Sequence, residues 1–313
     1  MSVYTELSTE DFGHLLSQYD LGTFVRAQGI AAGIENTNYK ITLKKGGNET
    51  DYFLTVFEDL SESELDFFIP LLAHLKSNDC HVAGPKVQIS GQYVFTAKGK
   101  PAAIFDCLAG YHVEKITKTE CFTIGAELAK IHLAAENFTA VHQNPRGYYW
   151  LHKQINNSLL TVSSADKNTL EKALEELQIK WGTWQSLDLP KGFIHGDLFA
   201  DNCLFENANT VNGVIDFYAG GNDYWVYDLA ICILAWCAQD SALEASLKDE
   251  LIKGYQSVRV LSKDETQELN DFIKLAALRF WVSRLVAVAS TSEAALTTSK
   301  DPDQMKGILL SLD

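Results

Sequence analysis

Three polar residues stand at a spacing that suits phosphoryl transfer: Asp197, Asn202 five positions on, and Asp216 fourteen positions beyond that. Moving a phosphoryl group onto a hydroxyl asks little covalent help of a protein. The acceptor oxygen must be oriented, its proton accepted, the phosphates held and their charge neutralised by a divalent metal. An Asp as proton acceptor, an Asn five residues later on the metal, and a second metal-holding Asp after the next hairpin meet that need. The loop reads His195-Gly196-Asp197-Leu198-Phe199-Ala200-Asp201-Asn202. Read alone, His-x-Asp-x4-Asn is also compatible with a turn whose Asp and Asn merely cap the backbone. Ile215-Asp216-Phe217 at a hairpin's distance makes coincidence much rarer.

Elements that could aim these groups flank each of them. Asp197 follows apolar Phe193-Ile194, Asn202 opens Cys203-Leu204-Phe205, and Asp216 follows Gly213-Val214-Ile215, so Phe193–His195, Cys203–Phe205 and Gly213–Phe217 are expected as short β segments. His195 is expected to brace the loop by hydrogen bonding rather than to move protons. Upstream, Phe24–Ala27, Asn38–Leu43 and Asp51–Phe57 read as strands, the last two joined as a hairpin through Lys45-Gly46-Gly47-Asn48. Val87–Ile89, Tyr93–Ala97 and Ala102–Phe105 read as further short strands. Ser61–Ser77 has helical spacing and a Ser61/Glu64 capping box. Beyond Gly110 the pattern turns helical, over Glu120–Ala135, Leu151–Leu160, Asn168–Leu187, Tyr227–Cys237, Ala242–Tyr255 and Lys263–Ala289. The expected class is α+β in two lobes, a small β-rich lobe over residues 1–105 and a large mostly helical one over 106–313.

Bulk properties narrow the partners. A net charge of −15 over 313 residues leaves no global basic surface for nucleic acid. Cys80, Cys107, Cys121, Cys203, Cys232 and Cys237 include no CxxC pair and no zinc-like cluster, so reduced, mostly buried thiols are expected. MSVYTELSTEDF lacks the basic and apolar regions of a signal peptide, and the apolar stretch near Val226–Ala238 is too short to span a bilayer. A cytoplasmic protein acting on a small molecule, without membrane or nucleic-acid partners, is the expectation. Oligomeric state is not legible.

HGDLFADN, followed by VIDFYAG and VYDLAI, resembles the aminoglycoside phosphotransferase and choline kinase superfamily, whose members share a protein-kinase-like fold. Gly33-Ile34-Glu35-Asn36-Thr37-Asn38-Tyr39, Tyr52–Glu58, Pro101–Ile104 and Ala277–Leu285 (ALRFWVSRL) are similar to the homoserine kinase family of bacterial threonine biosynthesis. The resemblance implies a nucleotide-binding N-terminal lobe, a catalytic and substrate-binding C-terminal lobe, ATP and Mg²⁺ as cofactors, and L-homoserine as acceptor. It implies Asp197 as catalytic base, Asn202 and Asp216 as metal ligands, and Asp228 as structural support together with His195. Gly33, Asn36, Thr37 and Asn38 would lie over the nucleotide phosphates, Thr55 would occupy the third-strand position, and Phe105, Asp106, Cys107 and Leu108 would form the hinge that meets adenine.

Two departures stand out. Most kinases of this fold carry a Lys on the third strand, where this chain has Thr55; Lys40 or Lys44 could substitute. Ala200 occupies a loop position where many relatives have a basic residue. For substrate, Asp201, Tyr218, Arg279 and Arg284 are candidates, the arginines because a bidentate guanidinium suits an amino-acid carboxylate. Each has a plainer alternative as a cap, a core residue or an ion-pair partner. Trp236 reads as core or pocket wall, and His132 as a satisfied core residue. The motifs alone leave open another small-molecule kinase, with an aminoglycoside, choline or sugar acceptor, or a nucleotide-binding pseudokinase.

Overall fold

The computed structural model describes residues 4–30, 36–156, 162–290 and 301–312. The chain divides into two compact units, Met1–Gly110 with Asn212–Ile215, and Tyr111–Val211 with Asp216–Asp313.

The first unit is built on an antiparallel sheet in the order β1-β2-β3-β5-β4, from β1 (Thr23–Ile30), β2 (Asn36–Lys45), β3 (Asn48–Phe57), β4 (Val94–Ala97) and β5 (Lys100–Asp106). The Gly46-Gly47 loop sets the β2/β3 register, Lys45 opposite Asn48. Both glycines have positive φ, 58° and 94°, as a tight hairpin turn requires. Side chains alternate across the pleat. Tyr39, Ile41 and Leu43 of β2 and Leu54 and Val56 of β3 bury themselves with Phe12, Leu15 and Leu16 of helix α1 (Thr9–Leu16). The opposite sheet face therefore carries Asn38 and Lys40 of β2 and Thr55 of β3, with Asn38 directly across from Thr55. Helix α2 (Glu62–Ser77) starts at the expected Ser61/Glu64 capping box. Val87–Ile89 is not a strand. Val87 and Ile89 are exposed, and the Gln88 N–H turns back to the Gln92 carbonyl. Short apolar alternation without a neighbouring strand to bury it does not hold a β conformation.

The second unit contains α3 (Lys118–Ala135), α4 (Tyr148–Ile155), α5 (Ser164–Ser186), β6 (Lys191–Ile194), β7 (Cys203–Asn207), β8 (Thr210–Val214, which runs into the first unit), β9 (Gly221–Tyr224), α6 (Trp225–Cys237), α7 (Ala245–Gln256), α8 (Lys263–Ser290) and α9 (Pro302–Ser311). The expected helix to Leu160 runs to Ile155, and 157–161 lie outside the described residues. The expected β segment to Phe217 ends at Val214, because Phe217–Ala219 forms a 3₁₀ turn. α7 begins at Ala245 rather than Ala242. α3 and α7 touch backbone to backbone at two glycines. A Cβ on Gly125 would fall 2.2 Å from the Leu251 carbonyl oxygen, and one on Gly254 1.9 Å from that of Phe122. α6 is apolar all round and buried, as a central helix must be. It runs on directly from β9, which pairs antiparallel with β6, and β6 leads into the loop at His195. Among the described residues no helix is long and apolar enough to cross a membrane.

Candidate active site

The loop after β6 turns at Gly196, whose φ is +74°. A Cβ there would sit 3.2 Å from the Ala219 carbonyl oxygen, so glycine suits both the backbone region and the space. Asp228, in the first turn of α6 and fully buried, fastens the turn from beneath. Its carboxylate accepts the backbone N–H groups of His195 at 2.7 Å and Gly196 at 2.8 Å. The same carboxylate meets His132 Nε2 of α3 at 3.0 Å. Burial pushes the Asp228 carboxyl up. The hydrogen bond from His132, with help from the Gly196 N–H, outweighs it and holds Asp228 below the usual range. Burial in turn lowers the His132 imidazole against the pull of Asp228. The pair is an ionised carboxylate beside a neutral imidazole whose Nε2 carries the proton. His132 Nδ1 then accepts from the Tyr255 hydroxyl at 2.7 Å, and Tyr255 receives Arg259, itself paired with Glu265 at 2.9 Å.

On this base the functional groups are held by short bonds. His195 Nδ1 accepts the Asp197 N–H at 3.3 Å, and its ring lies 4.7 Å from that of Phe217. Asn202 donates its Nδ2 to the Asp197 carbonyl at 2.8 Å and reaches the Asp197 carboxylate at 3.4 Å. That bond orients the amide with Nδ2 toward Asp197. Trp236 donates its indole N–H to the Leu198 carbonyl at 2.8 Å. Asp197 itself is half-buried. Asp216, exposed, adopts φ 63° and ψ 60°, a left-handed conformation that costs a non-glycine residue about 1–2 kcal/mol. Such strain is found where a side chain must point in one direction. Asn202 and Asp216 offer oxygen donors only. Among the described residues no cluster of three or more His, Cys, Asp or Glu could form a metal cage. One amide and one carboxylate fit a hard ion that arrives with phosphate ligands of its own.

The remaining candidates separate. Arg279 of α8 is 2% exposed and lies 3.9 Å from Asp197 Oδ1. Arg284 does not join them. It donates to the Asp301 carbonyl and to Gln304 Oε1, tying α8 to α9. Asp201 is exposed on the turn before Asn202. Tyr218 is half-buried, and desolvation first, then the charge of Asp216, push its phenol upward, so it stays neutral.

In the first unit, Gly33 lies outside the described residues. Asn36 Oδ1 receives the Glu58 N–H at 3.4 Å. Thr37 is buried. Its hydroxyl donates to Glu58 at 2.6 Å and accepts the N–H groups of Tyr4 and Thr5. Any part Thr37 plays with a ligand therefore runs through its backbone. The Thr55 hydroxyl donates to Asn38 Oδ1 at 2.8 Å, which turns the Asn38 amide nitrogen outward from that pair. Lys40, offered as a substitute for a third-strand Lys, is bound to Asp51 at 2.8 Å, and Lys44 is exposed. Phe105 is buried at the end of β5, Asp106 pairs with Lys86, Cys107 is half-buried with its thiol raised by burial, and Leu108 packs on Gly213.

Sequence reasoning did not foresee the Asp228–His132–Tyr255–Arg259–Glu265 chain. His132 on an apolar helix face was its one visible sign, because its partners come from α6, α7, the segment after α7 and α8.

A two-lobed kinase-like architecture with this loop matches known proteins on every comparison. Residues 26–261 match the phosphotransferase enzyme family. A curated homoserine kinase of Neisseria meningitidis serogroup B is 39% identical over the whole of both chains. One from Gluconobacter oxydans is 36% identical over 96% of this chain and 95% of its own. Among solved structures, an amicoumacin kinase in complex with AMP-PNP, Ca²⁺ and Ami superposes with a TM-score of 0.68 at 15% identity, over 96% of this chain and 93% of that one. The chain belongs to the phosphotransferase enzyme family and, within it, to the homoserine kinases.

Proposed function

We propose that this protein transfers the γ-phosphoryl group of ATP to the side-chain hydroxyl of L-homoserine, with Mg²⁺, giving O-phospho-L-homoserine. The observation that carries the reaction type is the Asp197 loop, with Asn202 bonded back to Asp197 and Asp228 gripping the backbone below. The full-length similarity to homoserine kinases supports the acceptor.

Asp197 orients the acceptor hydroxyl and accepts its proton as the oxygen attacks. His195 and Asp228 keep the Asp197 carboxylate pointed, so little reorganisation is needed when charge develops. Asn202, through Oδ1, and Asp216 would hold Mg²⁺. When bound, that ion neutralises phosphate charge. Residues 1–105 receive the nucleotide, with Gly33, Asn36, Thr37 and Asn38 over the phosphates, Thr55 beside them, and Phe105–Leu108 along the base. Residues 106–313 provide catalysis and acceptor binding, and Asp201, Tyr218 and Arg279 are the nearest candidates for acceptor contacts. The protein works in the cytoplasm on a freely diffusing substrate.

An acceptor panel in a coupled ADP-release assay tests the proposal. L-homoserine should give the highest kcat/KM, above L-serine, choline, an aminoglycoside and a hexose. A higher value for any of the others would displace it.

A further inference from the structure

Four buried side-chain atoms lacking a hydrogen-bond partner among the described residues belong to three residues on two adjoining helices: the Tyr227 hydroxyl of α6, and Arg279 Nε, Arg279 Nη1 and Ser283 Oγ of α8. α6 and α8 pack against each other. Arg279 and Ser283 are four residues apart, so they share one face of α8, and Phe272, seven residues before Arg279, lies on that face as well. The Tyr227 ring sits 6.2 Å from the Phe272 ring, which puts Tyr227 against the same face. Burial pulls the Arg279 guanidinium downward, while Tyr227 and Asp197 pull it back up, so the three groups also sense one another electrostatically.

A buried guanidinium is retained only with a counter-charge and acceptors for its N–H groups. Among the described residues the nearest acid, Asp197, is 3.9 Å away, outside hydrogen-bond reach. Asp228 is fully buried and occupied by His195, Gly196 and His132. The three residues therefore present donors, immediately beside Asp197, to an anion that none of the described residues supplies. We propose that Arg279, Tyr227 and Ser283 form the receptor for the carboxylate of the acceptor, and that this receptor makes the enzyme select hydroxy acids over other alcohols. The inference rests on the kinase reading of Asp197 and deepens it by naming what positions the acceptor.

The geometry suits a short substrate. One end must reach the Asp197 carboxylate with its hydroxyl, and the other must reach Arg279 with its carboxylate. The two protein atoms stand 3.9 Å apart, and hydrogen bonds of about 2.8 Å extend from each. A compact hydroxy amino acid, whose hydroxyl and carboxylate are a few carbons apart, bridges them. A choline or an aminoglycoside brings no anion and would leave Arg279 unpaired, which is how a polar site rejects analogues that lack the group it was built to bind.

The test compares L-homoserine with L-homoserinamide, which keeps the hydroxyl and the amine but not the negative charge. Wild-type enzyme should prefer L-homoserine by about a hundredfold or more in kcat/KM. In Arg279→Gln that preference should collapse to within about tenfold, with the loss falling on L-homoserine and the KM for ATP little changed. Tyr227→Phe and Ser283→Ala each remove one oxygen from the receptor and should raise the KM for L-homoserine while leaving that for the amide alone. If Arg279→Gln does not fold, these two variants and the wild-type comparison remain decisive. Equal use of the two acceptors by wild type, or undiminished preference in the variants, overturns the proposal while the kinase reading stands. No transfer to either acceptor by wild type overturns both.

Discussion

Asp228→Asn is the sharpest perturbation of the loop, because it changes charge without changing shape. The carboxylate accepts bonds from His195 N–H at 2.7 Å, Gly196 N–H at 2.8 Å and His132 Nε2 at 3.0 Å. An amide has one acceptor oxygen. If it stays on the His195 and His132 side, the new NH₂ faces the Gly196 N–H, donor against donor. A buried N–H left without an acceptor costs about 1–3 kcal/mol, and the two surviving bonds lose their charge assistance. Together these amount to about 3–5 kcal/mol, the range expected for breaking a buried charged pair. The loss falls on the residue before Asp197, so the carboxylate proposed as the base moves with it, and a displacement of about 1 Å can cost about a hundredfold in rate. Urea unfolding followed by circular dichroism, with steady-state kinetics on the same preparation, reads both effects. A midpoint close to wild type together with kcat/KM within about threefold would refute the claim that Asp228 holds the loop.

Further outcomes follow from the same contacts. Because the fold keeps His132 neutral, the unfolded chain binds its proton more readily, and stability should fall as pH drops through the ordinary imidazole range near 6.5. Asp228, held below its ordinary range, withdraws stability only in stronger acid, as pH falls through its depressed folded pKa. Melting temperatures from about pH 8 to about pH 5 should slope less in His132→Gln than in wild type. Gly196→Ala forces a side chain into φ +74° and within 3.2 Å of the Ala219 carbonyl oxygen. It should cost about 1–2 kcal/mol in stability and proportionally more in kcat. Asn202→Ala and Asp216→Ala should each raise the Mg²⁺ concentration needed for half-maximal rate, read by metal titration, with the folded structure intact by circular dichroism.

What could be read in advance follows the range of the interaction. The Asp197/Asn202 pairing was legible because both ends lie in one eight-residue loop, and the β2/β3 hairpin because Gly46-Gly47 specifies its own turn. The Ser61 cap was local in the same way. Val87–Ile89 misled because alternation over three residues says nothing about whether a neighbouring strand exists. Arg279 and Arg284 looked interchangeable in sequence. Five residues of helix turn them onto different surfaces, one toward Asp197 and the other onto α9. Tyr255, Arg259 and Glu265 are near neighbours in sequence, but His132 meets Tyr255 only through tertiary packing, so no spacing joined it to them. α1 and α9 went unseen because each is short, at eight and ten residues, with few apolar positions to set a period.

The central claim is that Asp197 activates the hydroxyl of L-homoserine for phosphorylation. Phosphorus NMR of a reaction containing ATP, Mg²⁺ and L-homoserine tests it most directly. Wild-type enzyme should accumulate a phosphate monoester of L-homoserine in step with ADP, and Asp197→Asn should form none above background while still showing a nucleotide-induced thermal shift. Near-normal monoester formation by Asp197→Asn, or ADP formed by wild type without the ester, would contradict it.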